Sequence, residues 1–271
     1  MNIKERLRMR LERRHSPSVN LDAQSHHDSR MQKDAIIDCG WGRLLFAQTF
    51  ADPAQLVASL CDEETNRRDI VLYVLDPHVA VSLAPQEVFL DPSHTFRLWL
   101  DRYRPAHLRA RGFTIRLMNS RKDAEAVHNL YIRRHMVPPD SEFLLAHRAS
   151  RMLTYLVAED NENGQILGTV MGVDHKSAFS DPERGTSLWA LAVDSQASVP
   201  GIGQALVRHL AEPYHARGRA YMDLSVMHDN LQAIRLYKKL GFERVPVFAL
   251  KHKNPWNEPL FMGSDVSEKL D

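Results

Sequence analysis

The sequence predicts a mixed α/β protein of the α+β kind, with a central sheet flanked by helices and a smaller α/β subdomain ahead of it. Three observations predict it. Beyond residue 112, apolar runs of strand length and amphipathic runs of helix length alternate in the order β-α-α-β-β-β-α-β-α-β, read from their two-residue and 3.6-residue periods. Two neighbouring strands in that order are separated only by Asp160-Asn-Glu-Asn-Gly164, polar turn chemistry that joins them as a hairpin and makes the sheet mixed. The segment 35–110 repeats the mixture of strand and helix signals on a smaller scale.

Composition bounds the function. A chain of 271 residues holds one large domain, or a catalytic domain with a companion. Lys and Arg number 35 against 34 Asp and Glu, a formal charge of +1, so nothing in the balance draws the chain to nucleic acid or to an anionic membrane. A hydrophobic content of 44% with 25% charged residues excludes disordered and fibrous classes. The longest apolar runs, 70–75 and 188–193, fall far short of the roughly 20 residues of a membrane span. Cys39 and Cys61 make no disulfide framework, and the first 30 residues hold no apolar signal core; a cytoplasmic location is expected. The 14 histidines form no His-Glu-x-x-His pattern and no Cys/His cluster, so no metal is expected.

The elements follow in order. Residues 1–34 carry Arg6, Arg8, Arg10, Arg13 and Arg14, with Ile3, Leu7 and Leu11 at helical spacing; they read as a basic arm, mobile or docking, and Glu5 and Glu12 argue against a presequence. In 35–110, the run 43–50 reads as a strand, Asp52-Pro53 opens a helix through Leu60, and 70–75 and 79–83 read as two strands broken at Asp76-Pro77. No nucleophile pattern or phosphate loop lies there, so packing or interaction is its expected role. After Arg111-Gly112 comes a strand at 113–117. Ser120 then caps a helix to about 135, stopped by Val137-Pro138-Pro139, and Asp140-Ser141 starts another through Arg148. The hairpin strands are 153–159 and 165–173. A strand at 188–193, a helix at about 203–217 closed by Gly218, a strand at 221–226, a helix at about 231–240 closed by Gly241 and a strand at 243–251 complete a domain over 111–253. Residues 254–271 read as a tail or linker.

Two segments carry chemistry. The strand 188–193 leads through a short loop into Val199-Pro-Gly201-Ile202-Gly203-Gln204-Ala205-Leu206, which opens a helix. Gly201 and Gly203 permit a tight turn close to a ligand, and the helix start offers unpaired N–H groups and the positive end of its dipole. That is an anion cradle suited to a pyrophosphate, although a plain structural turn leaves the same trace. Asp223 lies 20 residues after Gly203, near the offset of a dinucleotide-binding acid. That alternative fits poorly, because Leu206 replaces the third glycine, the loop is long, and Asp223 sits inside its strand. In the second segment, Asn230, Ala233, Tyr237, Gly241 and Phe242 mark a helix that begins after a strand and ends in a glycine cap. By periodicity alone Ile234, Tyr237 and Leu240 are one face of an ordinary amphipathic helix.

Taken together over about 112–253, the two segments resemble the GNAT acetyltransferase superfamily, which uses acetyl-CoA. The Asn-x-x-Ala-x-x-x-Tyr-x-x-x-Gly-Phe form is the more specific of the two. One departure is visible: Ser198 stands where the family's pyrophosphate loop normally has Gln or Arg. The whole chain, including Cys39-Gly-Trp-Gly-Arg43 and Asn254-Pro-Trp-Asn-Glu-Pro259, is also similar to the amino-terminal acetyltransferase portion of the N-acetylglutaminylglutamine synthetases. These are bacterial enzymes of osmoprotectant synthesis in which an ATP-grasp ligase module follows.

The resemblance implies a GNAT-like sheet and direct transfer of acetyl to an amine in a ternary complex. It implies that Leu191, Ala192 and Val193 flank the pantetheine arm and that N–H groups of Gly201, Ile202, Gly203, Gln204 and Ala205 hold the pyrophosphate. A bulge near Ala190-Leu191 would separate adjacent strands and free an N–H to polarise the carbonyl. Asn230 would touch the pantetheine or thioester region, and Tyr237 would be the acid for the leaving thiolate, a phenol and a thiol lying within about two pKa units of each other. The general base stays open among Asp223, His228 and the pair Asp174 and His175. An α-amine acceptor such as glutaminylglutamine needs the weaker base, since it is already partly neutral near pH 7. Also open are a non-catalytic acetyl-CoA-binding or ligase-docking module, an acceptor on a protein or antibiotic, and a homodimer, which GNAT domains often form.

Overall fold

The computed structural model describes residues 31–105 and 111–261; of the basic arm expected at 1–34, residues 1–30 lie outside them, while the N–H groups of Gln32 and Asp34 donate to the Phe179 and Thr49 carbonyls. Strands β1 (Ile36–Asp38) and β2 (Arg43–Phe46) pair antiparallel around Cys39-Gly40-Trp41-Gly42. Helix α1 (Pro53–Cys61) starts where Asp52 accepts the Ala54 N–H and Pro53 presets the first turn. Strand β3 (Ile70–Val74) runs parallel to β2, and α2 (Pro77–Leu83), β4 (Val88–Leu90) and β5 (Ser93–Trp99) follow. Strand β6 (Phe113–Leu117) leads to α3 (Arg121–Arg133), which opens on a reciprocal capping box between Ser120 and Asp123, and then α4 (Ser141–His147). The hairpin β7 (Leu153–Asp160) and β8 (Ile166–Asp174), the short α5 (His175–Phe179) and β9 (Gly185–Val193) precede α6 (Ile202–Ala216). Strand β10 (Tyr221–Met227), α7 (Leu231–Lys239), β11 (Glu243–Val245), β12 (Phe248–His252) and α8 (Glu258–Phe261) close the chain.

Two mixed sheets result. One has the order β1-β2-β3-β12-β4 and the other β11-β5-β10-β9-β8-β7-β6. Apolar side chains between them, among them Trp41, Phe46, Met171 and Trp189, pack with Leu130 and Tyr131 of α3. The far face of the seven-stranded sheet is covered by α6 and α7 through Leu206, Leu210, Tyr237 and Leu240. The far face of the smaller sheet is covered by α1 and α2. Helix α6 lies close on β8 because Gly172 has no side chain: a Cβ there would stand 2.5 Å from the Tyr214 hydroxyl and 2.7 Å from Leu210.

The two sheets exchange strands. Strand β5, from the first hundred residues of the chain, pairs with β10 from Ser93↔Met227 to Trp99↔Tyr221, and β12 pairs with β3 and β4. A division of the chain at 110 and 253 therefore does not coincide with the sheets. Three expectations are corrected. Segment 79–83 is helical, because Pro77 sits at a helix start where its missing N–H is harmless. The run 43–50 is a strand only to Phe46, followed by a 3-10 turn. The single strand expected at 243–251 is two strands in different sheets, interrupted at Pro246. The beginning of the supposed tail is packed in place, with Asn257 fully buried.

Candidate active site

Strands β9 and β10 pair in parallel only as far as Leu188↔Leu224, although both run on. Beyond that point they diverge, and a cleft of about 420 Å3 opens, lined on one side by Leu188, Trp189, Ala190 and Leu191 and on the other by Ser225, Val226 and Met227. The register of β9 against β8 shifts between Trp189↔Met171 and Ala192↔Thr169, so Ala190 and Leu191 together oppose Val170. This is a bulge where the resemblance implied one. Ala190 takes a φ of +50°, a conformation a side chain tolerates only when its surroundings enforce it. The fully buried Tyr131 contributes to that enforcement by donating to the Ala190 carbonyl at 2.9 Å.

The wall formed by β9, α6 and α7 fits a pyrophosphate thioester. Gly201 stands at the N-cap of α6 with φ +87°, and a Cβ added there would meet nothing within 4 Å; the requirement is conformational. No side chain caps α6 and no acid lies in its first turn, so the N–H groups of Ile202, Gly203 and Gln204 are the ones a helix start leaves unpaired. Ala205 is corrected: its N–H donates to the Gly201 carbonyl at 3.0 Å and does not face a ligand. A Cβ on Gly203 would lie 3.7 Å from Val193 and from Leu236, which lines the cleft. Asn230 caps α7 by accepting the Ala233 N–H at 3.1 Å and also lines the cleft. Leu191 lines it too, whereas Ala192 and Val193 are paired with Thr169 and Gly168 and do not.

Tyr237 lines the cleft, packs against Phe242 and makes no hydrogen bond among the described residues. Burial pushes its phenol up to about 12. An ordinary thiol ionises near 8.5, so the gap is wider than the roughly two units expected from unperturbed groups. Tyr237 keeps its proton at neutral pH and so has an O–H to donate.

The opposite wall is made of side chains from several strands and the loops beside them. Lys251 of β12, buried, donates to Asp91 at 2.8 Å. Ser93 of β5 donates to the other Asp91 oxygen at 2.5 Å, and the Ser93 and Ser225 hydroxyls lie 2.6 Å apart. Because the single Ser93 proton goes to the carboxylate, Ser225 is the donor in the second bond. The Ser225 oxygen is thus left to accept from a group in the cleft. Arg68, half-buried, donates from Nε to Asn257 at 2.9 Å, and Trp41 completes this side.

Asp223, His228, Asp174 and His175 do not line the cleft. Asp223 is buried in a two-pronged ion pair with Arg97, both contacts 2.8 Å, and accepts from Tyr73 at 3.1 Å; burial lifts its carboxyl and Arg97 opposes that. It joins the two sheets, because Tyr73 belongs to β3 and Arg97 to β5. His228 lies past the end of β10. Asp174 is clamped by Arg219 at 2.7 Å, and His175, wholly buried with its Nε2 2.9 Å from the Ser187 hydroxyl, is driven down to about 3 by burial, with the charge of Arg97 adding to it. Asp223, Asp174 and His175 are thus committed to protein partners away from the cleft lining. Sequence reasoning missed Tyr131, Arg68, Asp91, Ser93, Ser225 and Lys251. One signal was available: Lys251 follows Ala249 and Leu250 in a strand that opens on apolar residues, and a charge inside such a strand needs a buried partner.

Comparison with known proteins agrees with this geometry. The model of the acetyltransferase (GNAT) family matches residues 107–242. Ribosomal protein bS18-alanine N-acetyltransferase of Escherichia coli strain K12 is 26% identical over 125 residues, which cover 46% of this chain and 78% of that enzyme. An acetyltransferase structure of the GNAT family from Novosphingobium aromaticivorans superposes with a TM-score of 0.53 at 14% identity, covering 86% of this chain and 93% of that one. A GCN5-related N-acetyltransferase from Kribbella flavida superposes at 0.50 and 14%, with 83% of each covered. At such identities these structures speak for the fold alone. The family match extends over half of the sequence, and the chain belongs to the GNAT acetyltransferase family.

Proposed function

We propose that this protein transfers acetyl from acetyl-CoA to the α-amine of a small molecule, with glutaminylglutamine as the acceptor. The observation that carries the reading is one cleft lined both by Tyr237 and by a chain of polar groups running from Ser225 through Ser93 to Asp91. The bound cosubstrate supplies an activated acetyl thioester. This chain's residues do the rest. The first N–H groups of α6 hold negative charge, the bulge at Ala190 and Leu191 offers backbone to the acyl carbonyl, and Tyr237 keeps a proton beside the leaving group. Ser225 accepts a hydrogen bond from the acceptor amine, and Ser93 and Asp91 receive the displaced proton.

The choice of an α-amine rests on the weakness of that base. Among the described residues no His or Glu lines the cleft, and its one carboxylate, Asp91, is tied to Lys251. Neutralising an α-amine near pH 7 costs about 1 kcal/mol and a lysine amine about 4. The bS18-alanine enzyme, named for an alanine acceptor, supports the same class. Glutaminylglutamine itself rests on the likeness of Cys39–Arg43 and Asn254–Pro259 to the synthetases; of those segments, Trp41 lines the cleft and Asn257 holds Arg68, which lines it. A separate ATP-grasp ligase as partner, a homodimer and a cytoplasmic location, with Cys39 and Cys61 free, belong to the same proposal. No helix among the described residues is long and apolar enough to cross a membrane.

The test is thiol release from acetyl-CoA with glutaminylglutamine, single amino acids, polyamines and a lysine peptide, with product mass read in parallel. Release with the dipeptide and one acetyl on its amino terminus is expected. Acetyl-CoA binding without release to any amine would favour the non-catalytic module, which Ser198 in the pyrophosphate loop already allows.

A further inference from the structure

Among the described residues of the cleft, Arg68 is the cation whose terminal nitrogens are not engaged by protein. Lys251 and Asp91 neutralise each other at 2.8 Å. Arg68 makes no direct ion pair with a carboxylate among the described residues, although Asp91 and Glu63 act on its charge from further away. Its Nε is held by the side-chain oxygen of Asn257, a neutral group, and its two terminal nitrogens make no hydrogen bond or ion pair with any described residue. Asn257 is itself fixed: it is fully buried, it donates to the His252 carbonyl at 2.8 Å, and its N–H donates to Asn254 at 2.8 Å. The nearby Glu63 is occupied, its oxygens taken by the Asn254 amide and, at 2.6 Å, by the Asp69 N–H. An oriented guanidinium with two free prongs in a cleft wall is the donor set for a carboxylate.

We infer that Arg68 binds a carboxylate of the acceptor, so that the acceptor class is a free amino acid or short peptide with its C-terminal carboxylate intact. This rests on the reading of the cleft as an acetyl-transfer site. The acceptor then lies between two poles: its amine at the Ser225 hydroxyl and its carboxylate at Arg68, both lining the same cleft. A protein amino terminus, whose C-terminal carboxylate is far along the chain, does not bring that group to the second pole. The desolvation that lowers the Arg68 pKa is relieved when that carboxylate enters.

The comparison that tests it is between glutaminylglutamine and its C-terminal amide, which share the amine and differ in one charge. Wild-type protein is expected to show a kcat/KM roughly 30-fold lower for the amide, carried by KM, the size of a charge-assisted hydrogen-bond pair. In Arg68→Gln the acid and amide converge to within about threefold, and Asn257→Ala, which releases the guanidinium, falls between. Equal use of acid and amide by the wild type, or an unchanged preference in a folded Arg68→Gln, overturns the inference. If no amine is acetylated at all, the proposed function fails, and calorimetry with CoA and the same two dipeptides still decides the present point. Tighter binding of the acid upholds it, and equal binding overturns it.

Discussion

On the wall of the cleft built from β9, α6 and α7, the groups offered to a ligand are mostly backbone: the bulge at Ala190 and Leu191 and the unpaired start of α6. On the opposite wall they are side chains: Arg68, Asp91, Ser93, Ser225 and Lys251. The difference follows from what each wall meets. A backbone cradle binds phosphate and amide groups that any member of a family presents, so it needs particular conformations more than particular side chains. A side-chain wall chooses among acceptors, and it is the wall that changes when the substrate does.

Four substitutions break or sharpen that contrast. The largest effect is expected from Asp223→Ala, beneath both walls. Leaving Arg97 buried opposite a missing carboxylate costs about 3–5 kcal/mol, read as a lower denaturant midpoint. A change under about 1 kcal/mol would show that the buried pair between β5 and β10 adds little to stability. Next is Tyr237→Phe, on the backbone wall, where the proposed mechanism puts a proton donor. Turnover drops roughly 100-fold, while acetyl-CoA affinity, measured by calorimetry, moves less than about threefold; unchanged turnover removes Tyr237 from the chemistry.

Ser225→Ala touches only the side-chain wall. It lowers kcat/KM for the acceptor about tenfold, the loss of one neutral hydrogen bond, with the KM for acetyl-CoA unmoved. An equal rise in both Michaelis constants would mean that the walls are not separate. The smallest effect belongs to Gly203→Ala. A Cβ there meets protein only at 3.7 Å, and alanine is the better helix former, so stability rises by up to about 1 kcal/mol. Acetyl-CoA affinity is expected to fall severalfold because the backbone no longer approaches the ligand. Unchanged affinity would place the pyrophosphate elsewhere.

The same contrast explains what was legible in the sequence. Backbone devices leave local marks: Gly201 before α6, Asn230 at the cap of α7 and the punctuation around 188–206 identified the family, and capping residues fixed most helices over 111–253 within a residue or two. The acceptor wall left none, because Arg68, Asp91, Ser225 and Lys251 come from distant stretches of the chain and meet only in the folded sheets. Asp223 is one of several candidate bases by its expected nearness to the cleft, and only the fold reveals that Arg97 is opposite it. The exchange of β5 and β12 was equally hidden, since pairing partners do not mark a strand's own residues.

That exchange bears on how the molecule comes into being. Strand β5 finds β10 only after the residues between them are made, and the small sheet lacks its fourth strand until residue 252 has emerged. Neither sheet is finished by an early portion of the nascent chain, and pairings so far apart in sequence are slow to close. Assembly is therefore concerted and late during synthesis. A cut at either crossover strands an unpaired sheet edge, inviting aggregation, rather than releasing a smaller working unit.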